Sequence, residues 1–222
     1  MILNINYRVV KMILSSLLRE GTSEVHRNIE QSSFLKDLFR GKVSKDTYLK
    51  YLESFFYLYN ELEYSVNLKL SDKNIEKLYF PELHRTKALY LDLIYFGGAS
   101  FHPGPPTEKT IRYIDHIKKI TEKETYKIIS HLYVRYLGDL SGGQILGGII
   151  RKIFSLEKGF GDSFYSFPIG DVDHFKNTYR ARLDSLDLED FQKLELLEEA
   201  KLAFSYNGMM LSELDIFASS PK

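Results

Sequence analysis

The chain of 222 residues contains no cysteine. Disulfide bonds, cysteine nucleophiles, iron–sulfur clusters and cysteine-bound zinc are therefore excluded. An excess of charge of either sign is also missing, because 30 basic residues balance 30 acidic ones. A protein that binds nucleic acid mainly by electrostatics is expected to carry a basic excess, so we expect no nucleic-acid partner.

Long apolar runs are missing as well. No stretch approaches the roughly 18 apolar residues of a membrane span, and the first residues do not resemble a signal peptide. We therefore expect a soluble, cytoplasmic protein without a membrane anchor. Residues 1–11 are expected to be a disordered extension, with Met12 as an alternative start, residues 12–217 the domain and residues 218–222 a tail.

The spacing of the apolar residues is helical nearly throughout, and no segment alternates for long enough to be a strand. Ser44, Thr107 and Asp171 are expected to cap helix starts. Besides a long helix after Ser44, helices are predicted over residues 12–30, 33–39, 81–95, 107–123, 124–154, 172–183 and 188–217. Residues 159–170 are predicted to be a loop with four buried aromatic residues, Phe160, Phe164, Tyr165 and Phe167. The sequence thus predicts one all-α domain, a bundle of many helices.

One predicted helix is unusually rich in glycine. Five glycines lie within eleven residues, at Gly138, Gly142, Gly143, Gly147 and Gly148. Each costs roughly 1 kcal/mol relative to alanine inside a helix, so the cluster needs a structural or functional reason. One reason is close packing against another helix. The other is a flat ligand lying against bare backbone of a kinked helix, with the acid Asp139 beside it.

An early helix carries His26 and, four residues later, Glu30, so the two side chains share a face. A metal-bound imidazole commonly donates its other ring N–H to a carboxylate, which fixes the tautomer. The pair therefore fits a metal ligand with its orienting partner. The same spacing also occurs in exposed polar pairs. Taken alone, it favours that simpler interpretation.

A basic cluster follows at Lys176, Tyr179 and Arg180, whose helical spacing points three donors together. Such donors can hold carboxylates, although a solvated basic face is the simpler interpretation. The five remaining histidines lack partners at ligand spacing and are expected to be structural or exposed: His84, His102, His116, His131 and His174.

Five segments, taken in order, resemble the heme oxygenase family over residues 15–214. REGTSEVHRNIE is similar to the family's proximal-ligand helix, and RYLGDLSGGQ is similar to its distal helix. YFPELHR, FKNTYRARL and EEAKLAFSYN resemble further segments. The resemblance implies a helical bundle that holds heme between a proximal and a kinked distal helix.

The resemblance also implies roles for individual residues. His26 would be the proximal ligand of the heme iron, and Glu30 would orient it. Gly138 and Gly142 would lie over the heme, and Gly143 would help to bend the distal helix. Asp139 would order a water network on the oxygen-binding side of the heme. Tyr59 and Arg135 would also reach this network.

Other roles concern the edge of the heme. The propionates would meet four residues, Arg19, Tyr133, Lys176 and Arg180. Five residues would help to line the pocket, namely Phe34, Leu35, Tyr165, Phe204 and Asn207. Many animal members carry a basic residue three positions before the proximal histidine, where this chain has Ser23. Propionate anchoring on this helix is therefore expected to rest on Arg19. Animal members commonly end in a membrane anchor, which is not expected here, and the chain resembles a soluble bacterial or plastid-type member.

The activity that the resemblance implies is the oxidative cleavage of heme b, which is both cofactor and substrate. Oxygen and electrons from an external ferredoxin, flavodoxin or NADPH-dependent reductase would yield biliverdin, expected to be the alpha isomer, carbon monoxide and ferrous iron. A monomer is expected. The alternative is a heme protein for storage, transfer or sensing. A thiamin-degrading enzyme would need a cysteine, and a di-iron carboxylate protein would need paired Glu-x-x-His motifs that the chain lacks.

Overall fold

The computed structural model describes residues 12–218, with side chains through residue 215. The predicted extension at residues 1–11 and residues 219–222 of the predicted tail lie outside the described residues. Within the described part there is no β-strand. The α-helices of this part, in chain order, are α1 (Leu14–Gly21), α2 (Ser23–Glu30), α3 (Ser33–Phe39), α4 (Lys45–Leu68), α5 (Lys73–Lys77), α6 (Thr86–Gly97), α7 (Glu108–Lys123), α8 (Ile128–Leu132), α9 (Gly138–Phe154), α10 (Val172–Asp184) and α11 (Asp190–Ala218). None of these helices is long and apolar enough to cross a bilayer.

The predicted helix starts at Ser44, Thr107 and Asp171 are confirmed. The Ser44 and Thr107 hydroxyls accept the backbone N–H of the residue three further on, and the Asp171 carboxylate accepts two N–H groups. These side chains satisfy N–H groups that a helix cannot pair internally. Gly41 follows α3 at φ +71°, a backbone region that suits glycine.

The core is built around α4, which packs against α6, α7 and α11. Helix α11 also packs against α1, α2, α3 and α8, so it links the two ends of the chain. Helix α9 packs on α3 and on the turn Ser163–Tyr165. This arrangement leaves α2 and α9 as neighbours on opposite sides of a cleft.

Two predicted helices are interrupted. The helix expected over residues 12–30 is broken at Thr22, whose hydroxyl donates to the Leu18 carbonyl at 2.6 Å. A hydroxyl bonded to the preceding turn often bends a helix, and here the backbone N–H of Thr22 keeps its own bond to the Leu18 carbonyl. The helix expected over residues 81–95 begins only at Thr86, because Pro81–Leu83 forms a separate turn and His84 is extended.

The chain is irregular one turn before the glycines of α9. Tyr133–Leu137 forms a π-helical segment between α8 and α9, so the break in regularity precedes Gly138. Such single π-turns insert one residue and often occur at functional sites. In the loop that follows, Phe164 and Tyr165 are buried as predicted. Phe160 is 59% exposed, so the prediction that it is buried was wrong.

Candidate functional site

A cleft opens between α2 and α9, and α11 forms its floor. It consists of two adjoining cavities of about 230 and 630 Å³. Both cavities are lined by His26 of α2, by Gly138 and Gly142 of α9 and by Phe204 of α11. The cleft therefore has an imidazole on one side and two glycines on the other.

The glycines of α9 have different surroundings. A Cβ atom added at Gly138 or Gly142 would meet no atom within 4 Å, because both positions face the open cleft. A Cβ atom at Gly147 would lie 2.9 Å from the Tyr165 Cβ atom, and one at Gly143 would lie 3.6 Å from the same side chain. Packing thus explains glycine at residue 147, whereas residues 138 and 142 leave backbone bare toward the cleft.

His26 lies on a helix with no buried residue. Its side chain is 51% exposed, its Nδ1 lies 3.6 Å from Glu30 Oε1, and its ring meets the Phe204 ring edge-on at 5.5 Å. With Nδ1 facing the carboxylate, the Nε2 lone pair is the one available to a ligand. The contact with Phe204 sets the direction of the ring in the cleft.

Asp139 lies at the centre of a hydrogen-bond network behind the glycines. Its Oδ1 accepts from Arg135 Nη2 at 2.7 Å, and its Oδ2 accepts from the Tyr59 hydroxyl. Arg135 also donates to the Tyr59 oxygen at 3.1 Å and to Asn207 Oδ1 at 2.8 Å. Asn207 is held in turn by its bond to the Ala203 carbonyl. The acid therefore has one fixed orientation.

The electrostatics of this network suit a group that holds a proton. Burial raises the pKa of Asp139 well above the usual value of a carboxyl group, and the nearby Arg135 guanidinium opposes that rise. Burial also lowers the pKa of Arg135, whose guanidinium lies 4.5 Å from the Phe55 ring centroid. A carboxyl group in this setting can exchange a proton with a ligand or with water in the cleft.

Aromatic side chains close the inner end of the cleft. The Tyr48 hydroxyl donates to the Tyr165 hydroxyl at 3.4 Å, and burial raises the pKa of both phenols. Tyr51 lines the cleft and stacks on Phe34, whose side chain is buried in the core beneath. Phe34 therefore supports the lining from below and does not line the cleft itself.

Asp92 is a residue of this region that the sequence analysis missed. Its carboxylate accepts the backbone N–H groups of Ser163 and Phe164 at 2.9 and 2.8 Å, and so fixes the turn that carries Tyr165. Burial raises its pKa to about 6. The signal in the sequence was an acid inside the apolar segment LYLDLIYF.

The outer end of the cleft is basic. Arg19, Arg180 and Tyr133 line it, and so does Arg27, which the sequence analysis did not single out. The amine of Lys176 points elsewhere and lies 2.7 Å from Asp173.

The expected cluster of three donors on α10 does not form. Tyr179 is fully buried and stacks on Phe80 at 5.5 Å, so its hydroxyl does not join Lys176 and Arg180. Of the three predicted donors on α10, only Arg180 lines the cleft.

Most of the predicted site residues meet in this cleft. Those that line it are Arg19, His26, Glu30, Leu35, Tyr133, Arg135, Gly138, Asp139, Gly142, Gly143, Tyr165, Arg180, Phe204 and Asn207. Tyr59 lies behind Asp139, Phe34 lies in the core, and Lys176 lies outside the lining. His116 and His131, which lack partners at ligand spacing in the sequence, both contact Glu199 of α11.

The fold and the cleft define an all-α protein whose cleft has an imidazole on one side and bare glycine backbone on the other. Comparison with known proteins gives the family. The model of the heme oxygenase family matches residues 12–213. The chain belongs to the heme oxygenase family, whose reaction is the oxidative cleavage of heme to biliverdin, carbon monoxide and iron.

Three relatives illustrate the similarity. Heme oxygenase from Leptospira interrogans has a TM-score of 0.88 and 41% identity, covering 91% of this chain and all of the other. Heme oxygenase-2 from Synechocystis, solved with heme and NO, has a TM-score of 0.90 and 36% identity, covering 93% and 87%. Rabbit (Oryctolagus cuniculus) heme oxygenase 2 is 37% identical over 212 residues, which are 94% of this chain but 68% of the rabbit protein. The chain spans 65% of the length of the rat relative.

Proposed function

We propose that this chain cleaves heme in the cleft between α2 and α9. His26 would hold the iron through Nε2, and the bare backbone of Gly138 and Gly142 would leave room for the ring. The observation that carries this proposal is the pair of open Cβ positions at the two glycines in the cleft that His26 also lines. A side chain at either position would occupy the space that a flat ring needs.

Heme, when bound, supplies both the iron that activates oxygen and the ring that is oxidised. The chain contributes a proton source, Asp139, held in one orientation by Arg135 and Tyr59. A carboxyl group with a raised pKa can pass protons through ordered water in the cleft. Glu30 would keep the His26 tautomer whose Nε2 lone pair is free to hold the iron.

The orientation of the ring would set the regiospecificity of the cleavage. Arg19, Arg180 and Tyr133 lie at the basic outer end and would hold the two propionates there. Tyr165 and Leu35 line the apolar inner end. A single orientation would direct oxidation to one meso carbon, and the resemblance to the family implies the alpha isomer of biliverdin.

The electrons come from an external donor, a ferredoxin, a flavodoxin or an NADPH-dependent reductase. Arg182, an exposed basic residue of α10, would help to dock an acidic carrier. The enzyme works as a monomer on this proposal, with oxygen as the second substrate.

A heme protein for storage, transfer or sensing is the competing function. It would need the imidazole and the propionate anchors, but not a buried acid that exchanges protons. The network of Asp139, Arg135 and Tyr59 therefore favours the enzyme.

An absorbance time course separates the two functions. Purified protein receives one equivalent of hemin and then ascorbate or reduced ferredoxin in air, with catalase present to remove free peroxide. We expect the Soret band to fall while a biliverdin band rises. A stable Soret band after reduction would support storage or sensing, and failure to bind hemin would contradict the assignment of the cleft.

A further inference from the structure

A second cluster of ligand-type side chains lies outside the heme cleft. His116 on α7, His131 on α8 and Glu199 on α11 converge from three helices. The His116 Nε2 atom lies 2.5 Å from Glu199 Oε1, and the His131 Nε2 atom lies 2.9 Å from the same oxygen. All three ligand atoms fall within 4.8 Å of one another. Within residues 12–218 no other group of three such side chains comes together in this way.

The surroundings hold these side chains in place. The His131 side chain is fully buried, and the Glu199 side chain is 7% exposed. The Tyr113 hydroxyl lies 3.0 Å from His131 Nδ1 and fixes the ring, as the outer partners of metal ligands do.

The cluster is open on one side. The His116 side chain is 14% exposed. Glu199 also lines a surface depression of about 320 Å³, together with Glu195 and Glu198. Glu195 adds a negative charge beside this depression, whereas Glu198 is paired with Lys201. The depression gives a cation a route toward Glu199. Lys127 at the rim is neutralised by its ion pair with Glu124.

We propose that His116, His131 and Glu199 form a binding site for one divalent transition-metal ion, separate from the heme cleft. Two imidazoles and one carboxylate are a ligand set that zinc and ferrous iron accept, with water in the remaining positions. Metal–ligand bonds of about 2.0–2.1 Å in a tetrahedron require ligand atoms roughly 3.3 Å apart, so each imidazole nitrogen needs to move away from the Glu199 oxygen by less than about 1 Å.

The protons balance without a further partner. In the metal-free cluster the Nε2–H groups point at Glu199, whereas a bound metal needs the Nε2 lone pairs. Each imidazole therefore shifts its proton to Nδ1, and the His131 Nδ1–H then donates to the Tyr113 oxygen. Glu199 exchanges two hydrogen bonds for one metal bond, and no oxidant or reductant is required.

The test is a zinc titration of the heme-free, chelator-treated full-length protein in competition with a chromophoric chelator. We expect one equivalent of Zn²⁺ to bind with a dissociation constant near or below about 1 µM. His116→Asn removes the most accessible ligand and should weaken binding by about 100-fold. Two control variants, His26→Ala and His102→Asn, should leave the affinity unchanged, because neither imidazole belongs to the cluster.

Co²⁺ provides a second readout that does not depend on a variant. Cobalt bound to nitrogen and oxygen ligands in a tetrahedral site should give visible absorption bands that zinc abolishes. Zinc binding weaker than about 100 µM, or binding that persists in His116→Asn, would overturn the proposal. Loss of zinc binding in His26→Ala would overturn it equally, because the ion would then lie in the heme cleft.

Discussion

The two walls of the cleft are built in opposite ways. The proximal wall is α2, which has no buried residue and holds His26 half-exposed. The distal wall is α9, where Asp139 is only 12% exposed and is bonded to Arg135 and Tyr59. The proximal wall therefore offers one ligand atom on a lightly packed helix, whereas the distal wall presents a network that is already assembled.

The difference assigns different tasks to the two walls. A half-exposed histidine can bind a metal without affecting the packing of the fold. Its replacement should therefore lower the affinity for heme and leave the stability of the heme-free protein unchanged. A buried acid that is bonded on both oxygens acts on the ligand only through its proton and its fixed position. We therefore expect substitutions on α2 to change heme affinity and substitutions at Asp139 to change turnover.

The largest effect should come from Asp139. Asp139→Asn keeps the size, but its single amide oxygen can accept from only one of Arg135 and Tyr59, and the amide cannot exchange the proton. Heme binding should be retained, and the rate of biliverdin formation should fall by about 10²–10⁴-fold. Asp139→Ala should lose turnover to a similar degree, with lower stability because Arg135 is left unpaired.

Both Asp139 variants are measured by single-turnover absorbance with a fixed reductant. Asp173→Asn, which changes an exposed acid on α10, is the matched control and should turn over normally. A wild-type biliverdin yield in Asp139→Asn would remove this acid from the mechanism.

His26→Ala should produce the next largest effect. Without the imidazole the ferric absorption spectrum should change, and hemin affinity should drop by at least about tenfold. The melting temperature of the heme-free protein should stay the same, because α2 buries no residue. His102→Ala serves as the control. An unchanged spectrum would mean that another residue binds the iron.

Two glycines on the distal wall should respond in opposite directions. Gly142→Ala should stabilise the heme-free protein by up to about 1 kcal/mol, because the new methyl group meets only open space. It should also weaken hemin binding. Gly147→Ala should lower the free energy of unfolding by about 1 kcal/mol, because its Cβ would lie 2.9 Å from Tyr165.

The two alanine variants are compared by urea unfolding of the heme-free protein and by hemin titration. The glycines are divided here into a cleft pair and a packing residue. Two results would contradict this division: stability changes of the same sign, or a larger loss of hemin binding in Gly147→Ala than in Gly142→Ala.

The smallest effect concerns the propionate end. Arg180→Ala should weaken hemin binding only a few-fold, about 1 kcal/mol for an exposed ion pair, and should add minor biliverdin isomers. Lys176→Ala should change neither, because its amine lies beside Asp173 and not in the cleft. Hemin titration measures the affinity of both variants, and chromatography measures their product isomers. Equal effects of the two variants would favour the propionate role that the resemblance implied for Lys176.

Local sequence signals predicted the fold because they act over a few residues. The caps at Ser44, Thr107 and Asp171 and the helical spacing of apolar residues need no tertiary contact. The break at Thr22 and the π-helical segment before Gly138 depend on a side-chain bond and on packing, which spacing does not encode. Phe160 was misassigned because an aromatic residue in a loop carries no signal for the side it faces.

The candidate site shows the same division. His26 with Glu30 and the glycines with Asp139 lie within single helices, so their spacing was readable. His116, His131 and Glu199 escaped notice because up to 83 residues separate the partners, and only the packing of α7, α8 and α11 brings them together. Asp92 acts through backbone amides 71 and 72 residues away, which no side-chain motif records.

A crystal structure of the protein with hemin tests the comparison of the two walls most directly. The account predicts that His26 Nε2 is bonded to the iron and that the opposite porphyrin face contacts the backbone of Gly138 and Gly142. It also predicts that Asp139 keeps its bonds to Arg135 and Tyr59. Iron bound by any other residue, or a porphyrin that does not touch the two glycines, would contradict it.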